Sequence, residues 1–277
     1  MPLEFKLIDG WINHTPRGAE FDESQMPVKL FPGLADRYRE GRTTEQLIDE
    51  MDASGVERGV VCAGSINKKY EDLTWAVDAV QRHGDRFAGS LMVDPFTGMR
   101  GVRELERCVK EYGFRMARIA ALVTLIPYND PRCYPLYAKC AELDIPISIN
   151  VGVPGPLVPA AEFQYPLVLD KICAHFPELK IIMAHGGDPW TDLCVKLMQK
   201  WGNLHWMSSA FTPRRIPKPI MSFLNGRGGE RIMWASDYPL LTFERCAGEI
   251  EAMDMVDEDR RRMFGRDNAL RIIFGES

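Results

Sequence analysis

The sequence predicts a (β/α)8 barrel, the TIM-barrel class of α/β fold. Short aliphatic or β-branched runs alternate with amphipathic stretches along almost the whole chain. Several runs are apolar on both faces, as a parallel strand covered by helices requires. At 277 residues the chain is close to the roughly 250 typical of such a barrel. No Pro/Gly/Ser-rich linker, charge block or low-complexity stretch divides it, so residues 1–277 read as one domain.

Taken in order, the strand-like runs are Phe5–Asp9, Arg58–Ala63, Arg86–Asp94, Ala117–Ala120, Ile145–Val151, Lys180–His185, Leu204–Ser208 and Arg231–Ser236. Between them lie helix-like segments: Thr44–Ser54, Thr74–His83, Arg100–Tyr112, Cys133–Leu143 and Asp192–Trp201. Leu47 and Met51, or Leu105, Cys108, Val109 and Tyr112, repeat at the helical period. Gly and Pro mark the helix ends, as in Ser54-Gly55, Tyr112-Gly113 and Phe176-Pro177. A doubly wound sheet is the alternative, but no GxGxxG follows the first run.

Composition narrows the function. With 34 Lys plus Arg against 39 Asp plus Glu, the net charge of -5 leaves no basic footprint for nucleic acid. No apolar run reaches the roughly 18 residues of a membrane span, and the start MPLEFKLIDG does not read as a signal peptide. Seven cysteines without CxxC spacing read as free thiols in a reducing, cytoplasmic setting. The triplet Asn13-His14-Thr15 then carries no glycan.

Barrels of this class do chemistry at the C-terminal ends of their strands. There the sequence places Asp9 to His14, Cys62, Asp94, Arg118, Asn150, His185 to Asp188, Ser208-Ser209, and Ser236-Asp237-Tyr238-Pro239. No strand ends in Lys, which argues against a Schiff-base aldolase.

Ala184-His185-Gly186-Gly187 and Ser236-Asp237-Tyr238-Pro239 resemble the amidohydrolase-related family, the branch of the metal-dependent hydrolase barrels that contains aminocarboxymuconate-semialdehyde decarboxylase. Met51 to Val56, Val93-Asp94-Pro95, Asp130 to Leu136 and Phe176 to Lys180 agree in order and spacing. The resemblance implies a barrel, a small-molecule substrate and a homodimer. It also implies a metal held by a His-x-His pair, two further histidines and an aspartate. Here the pair positions are Trp11 and Asn13 and the fifth-strand position is Asn150, leaving His185 and Asp237. Indole does not ligate and a neutral amide is a poor zinc ligand. The expectation is therefore no metal cofactor, with zinc the alternative if His14 completes a site.

Asp237 is the expected general acid/base, since a strand-end carboxylate at a barrel mouth suits proton transfer; its bland reading is a cap on the turn into Tyr238. His185 is the expected partner, positioning the reacting group or taking a proton from water. Its bland reading is a core histidine. Trp11, Asn13, Asn150 and Tyr238 are expected to line the substrate pocket through stacking and hydrogen bonds. Arg118, inside a strand, suits a bidentate grip on a substrate carboxylate; an internal ion pair to Asp9 or Asp94 is the alternative. Lys68, Lys69, Tyr70, Arg214 and Arg215 hint at a cationic rim. His83, His175 and His205 read as structural, and Cys62 as a small core residue.

The expected activity is metal-independent hydrolysis of a small planar carboxylated or cyclic substrate, with a lactone-, ester- or amide-like bond. The alternatives are a carboxy-lyase or hydratase on an aromatic or ring-cleavage acid, and an inactive ligand-binding barrel.

Overall fold

The computed structural model describes residues 3–13, 31–64 and 73–276. Eight parallel strands form one sheet in chain order: β1 (Leu7–Asn13), β2 (Val56–Ala63), β3 (Phe87–Met92), β4 (Phe114–Ile119), β5 (Ile147–Asn150), β6 (Ile181–Ala184), β7 (Leu204–Met207) and β8 (Ile232–Met233). The outer helices include α1 (Leu34–Glu40), α2 (Thr44–Ala53), α3 (Leu73–Arg82), α4 (Met99–Tyr112), α5 (Ala121–Thr124), α6 (Tyr134–Glu142), α7 (Leu169–His175), α8 (Thr191–Lys200), α9 (Lys218–Asn225), α10 (Phe243–Glu251) and α11 (Glu258–Arg262). The predicted barrel is therefore observed. Among the described residues no helix is long and apolar enough to cross a membrane.

Local chemistry sets the helix ends. At α2, Thr43 and Gln46 form a reciprocal cap, each side chain bonding the other's backbone N–H. Thr242 caps α10 by accepting from Arg245 N. The chain leaves α4 through Gly113 at φ 77°, a left-handed turn that glycine adopts without strain.

Strand alternation sorts the core into two layers. Leu7, Ile12, Val61, Phe87, Phe114, Ile147, Ile181, Trp206 and Trp234 face the helices. Ile8, Trp11, Val60, Cys62, Met116, Ile182, Ala184, Met207, Met233 and Ala235 form the inner layer, floored by Ile272, Ile273 and Phe274. The inner layer is not uniform: Ser90, Arg118, Ser148 and Asn150 make its β3–β5 wall polar.

The closure between β8 and β1 differs from the other seven junctions. It has one isolated bridge, Ile12 to Tyr238, in place of a ladder. Gly10 N donates to Trp234 O at 3.3 Å, Asp237 N to Trp11 O at 3.1 Å, and Asn13 N to Tyr238 O at 2.8 Å. Strand β1 also loses register with β2 between Asp9 and Ile12. This irregularity carries β1 to Asn13, past the predicted end at Asp9, and leaves β8 only two residues long.

Candidate active site

Asp237 and His185 follow the ends of β8 and β6, and both have left-handed backbones, with φ 58° and 64°. Such conformations are uncommon for residues other than glycine and concentrate at functional sites. The turn after His185 is glycine for a steric reason: a Cβ on Gly186 would lie 2.2 Å from the Phe211 ring.

Asp237 Oδ1 accepts from Asn13 Nδ2 at 2.6 Å, and Oδ2 lies 3.7 Å from His185 Nδ1. Trp11 Nε1 donates to Asn13 Oδ1 at 3.0 Å. An indole N–H only donates, so it takes the amide oxygen of Asn13 and turns the amide nitrogen toward Asp237. Trp11 also meets the His185 ring edge-on at 4.7 Å.

Ser209 Oγ accepts from His185 N at 3.1 Å and lies 3.0 Å from His185 Nδ1. With one lone pair engaged, the hydroxyl can donate to Nδ1, an arrangement that goes with the ring proton on Nε2. Burial pulls the His185 imidazole below its ordinary pKa, opposed by the neighbouring Asp237 carboxylate. A neutral ring at neutral pH follows.

Arg118 lies under this cluster, its guanidinium 4.4 Å from the centre of the Trp11 ring. The residue is 4% exposed. One nitrogen, Nη2, donates to the carbonyls of Ala63 and Gly64, both at 3.2 Å, while Nε has no partner. Neither expected ion pair forms: Asp9 accepts from Trp11 N and Ser236 N, and Asp94 accepts from Phe96 N. Ser148, its register partner on β5, is buried with an unpartnered Oγ. Two residues on, Asn150 ends the same strand; its carbonyl accepts from Tyr128 Oη at 2.7 Å.

Six of the expected residues thus converge at one end of the barrel: Trp11, Asn13, Arg118, Asn150, His185 and Asp237. Tyr238 turns the other way. Its ring stacks on Phe243 of α10 at 4.6 Å, and its hydroxyl donates to Glu50 of α2 at 2.9 Å. Cys62 sits in the inner layer, where burial pushes its thiol pKa up. Burial and nearby Arg231 push His205 down to about 3. Arg214 pairs with Glu249 on the surface. His14, Lys68, Lys69 and Tyr70 lie outside the described residues. Ser209 and Asp9, which the sequence places at strand ends, were given no role there; Ser209 follows β7 and Asp9 lies within β1.

A family model described as "Amidohydrolase" matches residues 8–274. The chain belongs to this amidohydrolase family. Its curated relatives include a 2-keto-4-carboxy-3-hexenedioate hydratase of a Sphingobium species, 35% identical over 37% of this chain and 36% of the relative. The chain thus matches about a third of that hydratase's length. The decarboxylase orsB of Emericella nidulans is 24% identical over 88% of this chain and 89% of its own. Among solved structures, 5-carboxyvanillate decarboxylase of Novosphingobium aromaticivorans shares the fold at a TM-score of 0.73, with 19% identity over 98% of this chain and 97% of that one. A dihydroxybenzoic acid decarboxylase of a Polaromonas species gives 0.70, with 17% identity over 98% and 97%.

Those two structures correct the expectation of no cofactor, because both were crystallised with bound manganese. Manganese accepts oxygen donors and water alongside imidazole, so the argument from the preferences of zinc does not exclude a metal. Among the described residues no three His, Cys, Asp or Glu side chains come together in a metal-binding group. His185 and Asp237 are the two conventional donors at the mouth, and Asn13 presents its nitrogen to Asp237 rather than a free oxygen. Two donors fall short of the three protein ligands common in catalytic sites, so the described residues alone do not fit a metal and no step below runs through one.

Proposed function

We propose that the chain is a non-oxidative decarboxylase of a small, planar, carboxylated substrate. The observation that carries this reading is Arg118: a buried guanidinium beside the Trp11 ring, with an unpartnered Nε and no ion pair among the described residues. A buried charge without a counter-charge is costly, and an anionic ligand offsets that cost. The decarboxylase relatives support the same reaction class.

In this reading Trp11 and Arg118 form the floor on which the planar acid rests, and Asn150 and Ser148 offer hydrogen bonds along the polar wall. Arg118 holds a carboxylate other than the departing one. Asp237, in its acid form, protonates the carbon that bears the departing carboxylate. The bond to that carboxylate then breaks, carbon dioxide leaves, and its electron pair restores the π system that supplied the new C–H bond. Asn13 fixes the Asp237 oxygen at 2.6 Å, and the neutral His185 ring stands beside the other. A proton from water restores the acid.

Hydrolysis or hydration is the second reading, favoured by the neutral His185 imidazole as a base for water and by the partial hydratase match. Incubating the protein with aromatic dicarboxylic acids, unsaturated keto acids and lactones in heavy water, with manganese and after chelation, separates the two. Release of carbon dioxide with deuterium at the vacated carbon is expected, and Asp237→Asn abolishes it. Turnover of lactones or keto acids alone overturns the decarboxylase assignment.

A further inference from the structure

Asp9 is fully buried at the irregular closure between β8 and β1. Its Oδ1 accepts two backbone N–H groups, Trp11 N at 2.9 Å and Ser236 N at 3.0 Å. Its Oδ2 has no partner. The charge acting on it is the like charge of Asp237, and Cys246 of α10 lies near it on the helix side. An apolar side chain would fill this space without the cost of burying a carboxyl. The carboxyl therefore answers a local need: two N–H groups at a junction where no ladder satisfies them.

Those two N–H groups belong to the segments that carry the proposed chemistry. Trp11 holds Asn13 through its indole, and Ser236 directly precedes Asp237. The surrounding bonds, Asp237 N to Trp11 O and Ser236 Oγ to Trp11 O at 3.5 Å, run through the same level of the barrel.

We propose that Asp9 is a positioning residue. By joining the end of β1 to the end of β8, its carboxyl sets the contact between Asn13 and Asp237. Its catalytic consequence rests on the reading that Asp237 transfers the proton; its geometric consequence does not.

The test compares Asp9→Asn with Asp9→Ala in the full chain, by amide-resolved NMR and by steady-state kinetics. The chain has six tryptophans; the Trp11 indole signal is assigned by its loss in Trp11→Phe, and the Asn13 side-chain amide by its loss in Asn13→Ala. Asparagine keeps an oxygen for both N–H groups, so its two signals and its kcat stay near wild type. Alanine removes the acceptor: both signals shift, and kcat falls by about tenfold while KM stays within about twofold. A merely structural Asp9 lowers Tm in the alanine variant and leaves both signals in place, which overturns the proposal. So does an asparagine variant as displaced as alanine. If alanine does not fold, Asp9→Glu replaces it: the extra methylene pushes the strand ends apart, and wild-type signals in that variant overturn the proposal. Should no acid be turned over, the proposed reaction fails, while the two NMR signals still decide the role of Asp9.

Discussion

His185 and Asp237 face each other across 3.7 Å from the ends of β6 and β8, each held in a left-handed backbone conformation. Neighbours orient both: Ser209 on the imidazole and Asn13 on the carboxylate. Removing either neighbour loosens the pair.

Asp237→Asn is expected to reduce kcat by about a hundredfold or more, the usual scale for losing a positioned acid. Binding of an unreactive substrate analogue, followed by calorimetry, stays within about threefold because asparagine preserves the shape of the side chain. Full turnover in this variant removes Asp237 from the mechanism.

Replacing Arg118 by methionine moves stability and binding in opposite directions. A buried charge with no ion pair among the described residues disappears, so the free protein is expected to gain stability, on the order of 1–4 kcal/mol by analogy with other buried charges. Affinity for carboxylated ligands falls by about tenfold or more as the charge-assisted grip is lost. Urea titration and calorimetry on the same preparation read both signs. A loss of stability together with unchanged affinity identifies Arg118 as a purely structural residue.

The pH dependence of stability carries a signature of Asp9. Burial raises its pKa from 3.8 to about 7. Between those values the folded protein binds a proton that the unfolded chain has released, so this contribution is complete below pH 3.8 and is lost as pH rises through about 7. Urea unfolding at pH 5 and pH 8 is expected to show greater stability from this group at pH 5. In Asp9→Asn that part of the slope vanishes; an identical slope refutes the assignment.

His185 contributes with the opposite sign. Its lowered pKa favours the neutral ring, so its contribution is complete above pH 6.5 and is lost as pH falls through the folded value. Its imidazole C–H resonance is expected to titrate below the ordinary histidine range. In Ser209→Ala the Nδ1 partner is gone, and the nitrogen shifts report a mixture of tautomers in place of the Nε2–H form.

The barrel was legible because parallel strands buried on both faces leave continuous apolar runs, as in Ile145–Val151, and helices leave a 3.6-residue period, as in Leu105–Tyr112. The strand ends were legible too, which is why His185 and Asp237 could be singled out. Side-chain direction near the closure was not. A shift of register between Asp9 and Ile12 changes which residues face inward, and nothing in residue type announces it. For the same reason Tyr238, expected at the substrate, points to Glu50 and Phe243. The missing ion pair of Arg118 is likewise a fact of packing: Asp9 lies within β1, Asp94 lies just past β3, and both accept backbone N–H groups nearby.

The uneven lining of the barrel interior has a consequence for selectivity. Ser90, Arg118, Ser148 and Asn150 add polar groups to the wall from β3 to β5, beside Ala88 and Met116, while the inner cluster draws Ile182, Ala184, Met207, Met233 and Ala235 from β6 to β8 and the residues that follow it. In the proposed decarboxylase reading, a flat diacid entering between them meets hydrogen-bonding groups mainly on one side. On that reading its two acid groups stand in different surroundings before any bond breaks.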